Sequence, residues 1–579
     1  MNRYDAIIIG GGHNGLVAGA YLARAGLKTL ILEKRPLVGG AAVSEEIYPG
    51  FTFSVFSYVV SLLRPEIIRD LRLAEHGLVI LPLESTLTPL PDGDCLYRDG
   101  DKYRTQRDIA RFSVRDAEAY AEYSRVMYFM AKAVKYMLGI KPPDPTSFRP
   151  GDLGGLLGLA RHMLGLGEEK LYLLSRLMTA SAHDFLREWF ESEPLLATLS
   201  ASGIIGTFLG PRSPGTAYVL LHHYMGEIDG NFRAWGFARG GTGAISEAIA
   251  SSARSFGAEI RCDAGAAEVI LKDGEAKGVR LENGDEYRAG TVVSSLDPQR
   301  TFLHLIGSRH LPDELTRAVS NFTSRGSSAK VNLALDAAPE VACMPGPGPH
   351  LRGAISVSPS TGYLERAYDD AKYGRFSRCP YVDMIIPSMI DPGMAPPGKH
   401  VMSCFVQYAP YHLRPGARGG SYPELALNGA GGRAASDDRI LAGTAQPASR
   451  AASGEGRESA SPTLWDEQRE ALGDAVIDTL SQHIPNLKDI ILHRQVLTPL
   501  DIERTIGLTQ GNIFQGELSL QQLFFLRPAA GYADYRTPIP NYYQCGSGTH
   551  PGGGITGAPG RLAALEILRR LKKPEGGGA

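Results

Sequence analysis

Asp5-Ala6-Ile7-Ile8-Ile9-Gly10-Gly11-Gly12-His13-Asn14-Gly15-Leu16 starts as a buried-strand run, breaks into glycines, and passes into a helical stretch that continues to Ala25. Gly10 permits a tight turn, Gly12 lets the backbone approach a pyrophosphate, and Gly15 allows the helix to lie against the strand. The free N–H groups and dipole at the helix start favour negative charge, with His13 and Asn14 in the first turn. A second strand, residues 28–32, ends at Glu33. That acid falls about twenty residues after the glycines, where a carboxylate accepts hydrogen bonds from ribose hydroxyls and disfavours a ribose phosphate. Glycine turns alone are common. Strand, turn, helix, strand and acid in register predict a dinucleotide held by Gly10, Gly12, His13, Asn14, Gly15, Glu33 and Lys34.

The pair Gly39-Gly40, just after Glu33-Lys-Arg-Pro, resembles the second glycine pair of FAD-binding proteins of the glutathione-reductase and amine-oxidase type. That resemblance implies FAD rather than NAD and adds Gly39 and Gly40 to the cofactor contacts. Ala41 stands where an arginine often follows, so one common phosphate contact is missing. Further on, Gly240-Gly241-Thr-Gly243 precedes a helix over 244–256, paired strands over 267–271 and 278–281, a hairpin turn at Asn283-Gly284 and another apolar strand from Thr291. These features resemble the later part of the FAD domain in carotenoid desaturases, which implies that Val269 offers its backbone to the adenine. Read without that resemblance, they are ordinary sheet elements.

Near the carboxy terminus, Tyr543-Gln-Cys-Gly546-Ser-Gly548-Thr-His-Pro-Gly552-Gly553-Gly554-Ile555-Thr-Gly557 runs from a short strand through a glycine-dense loop into a helix over 562–571. Such a loop brings backbone N–H groups close to a flavin or its pyrophosphate without side-chain obstruction. Gly548, Gly554 and Ile555 are the contacts expected there. The segment resembles the bacterial phytoene desaturase signature, with Ser547 where alanine is usual. Gly553 stands where a small non-glycine residue is usual, so a side chain is expected to be tolerated there. With Phe53-Ser54 to Leu63-Arg64-Pro65, Ser213-Pro-Gly-Thr-Ala-Tyr-Val-Leu-Leu-His222-His223, Arg527-Pro528 and Arg536-Thr-Pro538, the chain is similar to the phytoene-dehydrogenase-like branch of the carotenoid and retinoid oxidoreductases.

The resemblance covers nearly the whole chain and implies an α/β protein. Its Rossmann-like FAD-binding domain would be of the glutathione-reductase/amine-oxidase type, joined to a discontinuous α+β substrate domain. It also implies FAD-dependent dehydrogenation or saturation of an apolar, isoprenoid-like small molecule, with electrons passing to an acceptor such as a quinone or oxygen. Two further readings stay open: a redox-neutral, flavin-dependent isomerase, and a flavin-containing regulatory protein with little turnover.

Because motifs for one cofactor occur at the start, middle and end, the FAD domain is expected in residues 1–90, 225–310 and 490–579, and the substrate domain in 91–224 and 311–489. Residues 108–138 carry a helical stripe of Ala119, Tyr120, Tyr123, Met127, Tyr128, Met130 and Val134, which is core or the lining of a substrate channel. The leucine-rich stretch 153–177 is expected to be buried, with peripheral membrane contact as the alternative. Residues 415–463, rich in alanine, glycine and serine and without periodicity, read as a disordered surface insertion. His222, His223 and Glu227 are the candidates for acid–base catalysis, set against a structural histidine pair on an apolar segment. His550 reads better as a flavin neighbour than as a base.

The 60 basic residues nearly balance 62 acidic ones, so no positive field draws the chain to nucleic acid. The six cysteines contain no CxxC pair, which argues against zinc, an iron–sulfur cluster or a redox dithiol, and no metal is expected. No apolar run reaches transmembrane length, and the first strand leaves no room for a leader, so a cytoplasmic location is expected.

Overall fold

The computed structural model describes residues 3–228, 230–415 and 461–572. The run Arg3–Ile9 becomes the central strand of a seven-stranded sheet. It pairs in parallel with Thr29–Leu32 on one side and Glu286–Ser294 on the other, Ile7 standing opposite both Leu30 and Val292. An unbroken apolar run suits a parallel strand buried on both faces, and Ile7 and Ile8 are fully buried. Glu259–Arg261 extends the sheet beyond Thr29–Leu32, and Tyr542–Gln544 adds in parallel to the end of Glu286–Ser294. The antiparallel strands Glu275–Leu281 and Ala266–Lys272 complete it.

The helices His13–Arg24, Gly243–Ser255 and Ala558–Leu571 cover one face, where Leu16, Val17, Ile245, Ile249, Ala563 and Ile567 form one core with Ile8 and Ile31. The chain's beginning, middle and end thus share a single hydrophobic layer. A second seven-stranded sheet runs in the order Ile491–Leu497, Ser328–Leu335, His400–Gln407, Tyr381–Ile385, Ala354–Val357, Ser85–Pro89, Cys95–Asp99. All its pairings are antiparallel except that of Ala354–Val357 with Ser85–Pro89. Helices between residues 102 and 224 build a third core around Tyr123, Met127, Met130 and Val134.

Several expectations are corrected here. Ser85–Pro89 and Ile491–Leu497, inside the expected ranges 1–90 and 490–579, pair in the second sheet. The helix expected over 108–138 is two, Lys102–Ala110 and Val114–Leu138, the second capped by Ser113, whose hydroxyl accepts the Asp116 N–H. The leucine-rich stretch splits at Gly167, and its first half, Pro150–Leu166, buries no residue. That helix meets the body at Gly155, where a Cβ would lie 3.0 Å from Pro143. Leu157 and Leu164, on the opposite side of the helix, therefore face outward, 71% and 76% exposed.

Of the insertion, residues 416–460 lie outside the described residues. Its carboxy-terminal end is ordered: Leu413 and Ser461 exchange backbone hydrogen bonds of 3.1 and 2.7 Å, and a helical turn, Pro462–Leu464, leads into Trp465–Ser481. Among the described residues no helix is long and apolar enough to cross a membrane.

Candidate flavin cleft and substrate chamber

Gly10 takes φ +93°, and a Cβ there would lie 2.5 Å from Ser295 Oγ. At Gly15 a Cβ would lie 2.1 Å from the Gly10 carbonyl oxygen, so strand and helix can meet only through glycine. Gly12 differs. Its φ of −67° and ψ of 164° suit any residue, yet no atom stands within 4 Å of where its Cβ would be. The space over the helix start is open. Gly39 closes one side by donating its N–H to the Gly11 carbonyl at 2.9 Å.

The helix His13–Arg24 has no side-chain cap and no acid in its first turn, which leaves its amide dipoles uncompensated. Around it, His13 Nε2, Asn14 Oδ1 and Arg35 Nη1 are buried without a hydrogen-bond partner among the described residues. Burial lowers the His13 pKa to about 4, so the ring is neutral. Glu33, 7% exposed, accepts the Gly11 N–H at Oε2 (2.7 Å) and the Arg35 N–H at Oε1 (2.9 Å). Open space, an uncapped helix start and orphaned polar atoms in one place match a pyrophosphate-bearing dinucleotide, and FAD fits these residues.

The carboxy-terminal loop is held against this cleft from two sides. Asn14 Nδ2 donates to Ser547 Oγ at 2.9 Å. Arg527, fully buried, donates to the carbonyls of Ser547, Phe514, Gly516, Glu517 and Gln522 at 2.9–3.2 Å. A guanidinium so enclosed by carbonyls acts as a clamp on three chain segments. The expected tolerance at Gly553 is overturned, because a Cβ there would stand 2.3 Å from Phe514 Cδ1 and 2.5 Å from its Cα. Gly554, at φ +98°, faces Leu62, and Gly548 abuts Pro298. At Val269, the expected adenine contact, only the backbone carbonyl is left to offer. Its N–H is already donated to the Leu305 carbonyl at 2.9 Å, and the chain that reaches Glu33 is Asp263-Ala264, with the Ala264 N–H on the Glu33 carbonyl at 2.8 Å.

A cavity of about 600 Å³ lies beside the cleft, lined by aromatic residues that include Tyr58, Tyr120, Tyr224, Phe232, Trp235 and Tyr381. Tyr58 adjoins Ser57, whose hydroxyl donates to the Ala41 carbonyl (2.9 Å) next to the Gly39-Gly40 pair. Tyr120 is the one member of the expected helical stripe on the cavity wall; Tyr123, Met127, Met130 and Val134 are core.

The acid–base candidates divide. Glu227 lies outside the lining, paired with Lys135 at 2.5 Å. His222 is buried against the Gly553 carbonyl, its pKa lowered by burial to about 3. His223 does line the cavity, but its Nδ1 is bonded to the Val219 carbonyl at 2.8 Å, its ring stacks on Trp235, and burial lowers its pKa to about 4. His550 is likewise neutral, its pKa lowered by burial to about 3.

The sequence reading missed Lys330. It sits in the fully buried strand Ser328–Leu335, where Nζ donates to Ser54 O (2.9 Å), Asn332 Oδ1 (3.0 Å) and Ser403 Oγ (2.6 Å), with no carboxylate partner among the described residues. Burial lowers its pKa to about 7, so Nζ can take up or release a proton near neutrality. The available signal was a lysine and an asparagine alternating inside an apolar strand, at positions 330 and 332.

A model of the flavin-containing amine oxidoreductase family matches residues 15–414. Pyridine nucleotide-disulfide oxidoreductase domain-containing protein 2 of Mus musculus is 39% identical over 98% of this chain and 94% of its own length. The lycopene-forming phytoene desaturase of Pseudescherichia vulneris is 25% identical over 98% of both chains. An oxidoreductase of Methanosarcina mazei shares the fold, with a TM-score of 0.55 and 16% identity over 98% of this chain and 100% of that one. The chain thus belongs to the flavin-containing amine oxidoreductase family and binds FAD.

Proposed function

We propose that this chain dehydrogenates an apolar organic molecule held in the 600 Å³ cavity, its electrons passing through FAD to a quinone or oxygen. The aromatic lining of that cavity, next to the loop that carries Gly39 and Gly40, is the observation behind this reading. The tyrosine, phenylalanine and tryptophan faces in its wall hold a flat or extended hydrocarbon by area burial. The relationship to a phytoene desaturase supports an unsaturated or isoprenoid skeleton.

When bound, FAD supplies the two-electron sink. The chain's own residues bind, orient and manage protons. Tyr58, Tyr381 and Trp235 shape the chamber, His223 contributes a neutral wall, and Lys330 Nζ, under the Tyr58 ring, holds or releases a proton near pH 7. The deciding experiment is anaerobic mixing of the FAD-loaded protein with carotenoids, retinoids, acyl lipids and amines while the oxidised-flavin absorption is followed. Bleaching by a hydrocarbon-rich member is expected; bleaching by simple amines alone overturns the reading.

A further inference from the structure

One end of the cavity is not apolar. Arg98, from the strand Cys95–Asp99, and Arg233, just after the short hairpin strand Asn231–Phe232, both reach the hydroxyl of Tyr120. The Arg98 Nη1 contact is 3.5 Å and the Arg233 Nη2 contact 3.4 Å. Arg233 also donates to Ser124 Oγ (3.0 Å) and Tyr224 OH (3.2 Å), and its guanidinium lies over the Tyr224 ring at 4.2 Å. Its backbone takes φ +63°, a left-handed conformation that a long side chain adopts only under constraint.

Neither arginine has a carboxylate partner among the described residues. The acids that line the same chamber are engaged elsewhere: Glu84 by Arg352, Asp99 by Arg104, and Asp383 by the Tyr58 hydroxyl. Arg98 Nε is buried with no hydrogen-bond partner among the described residues. Two guanidiniums facing each other across a phenol, inside a cavity, repel one another and leave donors unused. Burial would raise the Tyr120 pKa, but the two guanidiniums outweigh it and pull the phenol well below its ordinary value, which registers the excess positive potential at that spot.

From this geometry we infer that the substrate is amphipathic, with an apolar body among the aromatic residues and a carboxylate bound between Arg98 and Arg233. The inference rests on the reading of the cavity as the substrate chamber. A planar monoanion matches the guanidinium fork in a bidentate pair. Tyr120, Tyr224 and Ser124 supply further hydroxyls to the same oxyanion.

The test compares laurate and retinoate with their methyl esters and with dodecyl phosphate, binding to FAD-loaded protein by calorimetry. In the wild type each acid is expected to bind at least about tenfold tighter than its ester, the margin of one charge-assisted bond. Arg98→Gln and Arg233→Gln should each bring that ratio close to one without changing FAD content, and Arg98→Lys should keep part of it. Equal affinity for acid and ester, binding of neither, tighter binding of the phosphate, or a preference that survives in Arg233→Gln overturns the inference. The wild-type ratio decides even if a variant fails to fold. Flavin reduction is scored separately: acid preference without bleaching by any ligand sinks the redox reading and leaves the anion site standing. Bleaching by a neutral hydrocarbon without acid preference does the reverse.

Discussion

Lys330 and Asp383 flank Phe405 on adjoining strands of the second sheet, and the Tyr58 ring spans the two. Lys330 Nζ lies 5.8 Å from the Tyr58 ring centre, Tyr58 stacks on Phe405, and the Tyr58 hydroxyl donates to Asp383 Oδ2 at 2.5 Å. Burial disfavours both charges, lowering the lysine pKa to about 7 and raising that of the aspartate to about 6.

The shifted lysine has a pH signature. Between about pH 7 and the ordinary lysine value of 10.5, the unfolded chain binds a proton that the folded chain does not. Unfolding free energy therefore rises with pH in that window, by up to about 1.4 kcal/mol per unit. Below it, Lys330 is charged in both states and the full penalty of burying the ammonium applies. Lys330→Met removes this slope. Urea unfolding of both proteins between about pH 7 and about pH 9 should show the wild type gaining on the variant; a constant gap would mean the lysine is not shifted.

Gly12→Ala separates cofactor space from folding. Its backbone dihedrals suit alanine and no protein atom is near the added methyl, so apoprotein stability should hold or rise by about 0.4–1 kcal/mol. FAD retention, measured by flavin absorbance after gel filtration, should fall sharply because the methyl enters the open space. Gly553→Ala should do the opposite first, destabilising the apoprotein by about 1–3 kcal/mol through its clash with Phe514. If Gly12→Ala keeps its flavin, the pyrophosphate lies elsewhere.

Glu33→Ala removes the carboxylate proposed to hold the ribose and also frees the Gly11 and Arg35 N–H groups that it now holds. With charge-assisted bonds worth about 1.5–3 kcal/mol each, FAD affinity should drop at least tenfold. Fluorescence titration of the apoprotein with FAD measures it; unchanged affinity would misplace the acid.

Deleting residues 416–460 should preserve both melting temperature and flavin content. The flanks are already joined by the Leu413–Ser461 hydrogen bonds, so a short turn can connect them. Loop-closure entropy varies only logarithmically with length, which limits the stability change to about 1–2 kcal/mol. A melting point lower by many degrees would show that the segment packs on the body.

The nucleotide half of the fold was legible because its strand, turn, helix and acid follow one another along the chain: Gly15 meets Gly10 five residues back, and Glu33, at the end of the next strand, holds Gly11. Gly553 was misread because its constraint comes from Phe514, distant in sequence. The engagement of the Val269 N–H by Leu305 was likewise invisible in the sequence. The chamber was illegible altogether. Arg98 and Arg233 belong to unremarkable polar segments, and only tertiary packing brings them to one phenol. Pro150–Leu166 was expected to be buried from its leucines, but composition does not say which side of a helix meets the body.

The Asn14–Ser547 hydrogen bond joins positions 533 residues apart. During translation the strand Arg3–Ile9 and its glycine turn leave the ribosome long before the loop that completes their cleft. A nascent chain therefore carries a half-built cleft until that loop emerges, and the cofactor can be enclosed only then. A nonsense codon at Tyr542 would remove the short strand Tyr542–Gln544 together with the glycine-dense loop and the last helix, leaving both sheets otherwise encoded and the cofactor without a closed site.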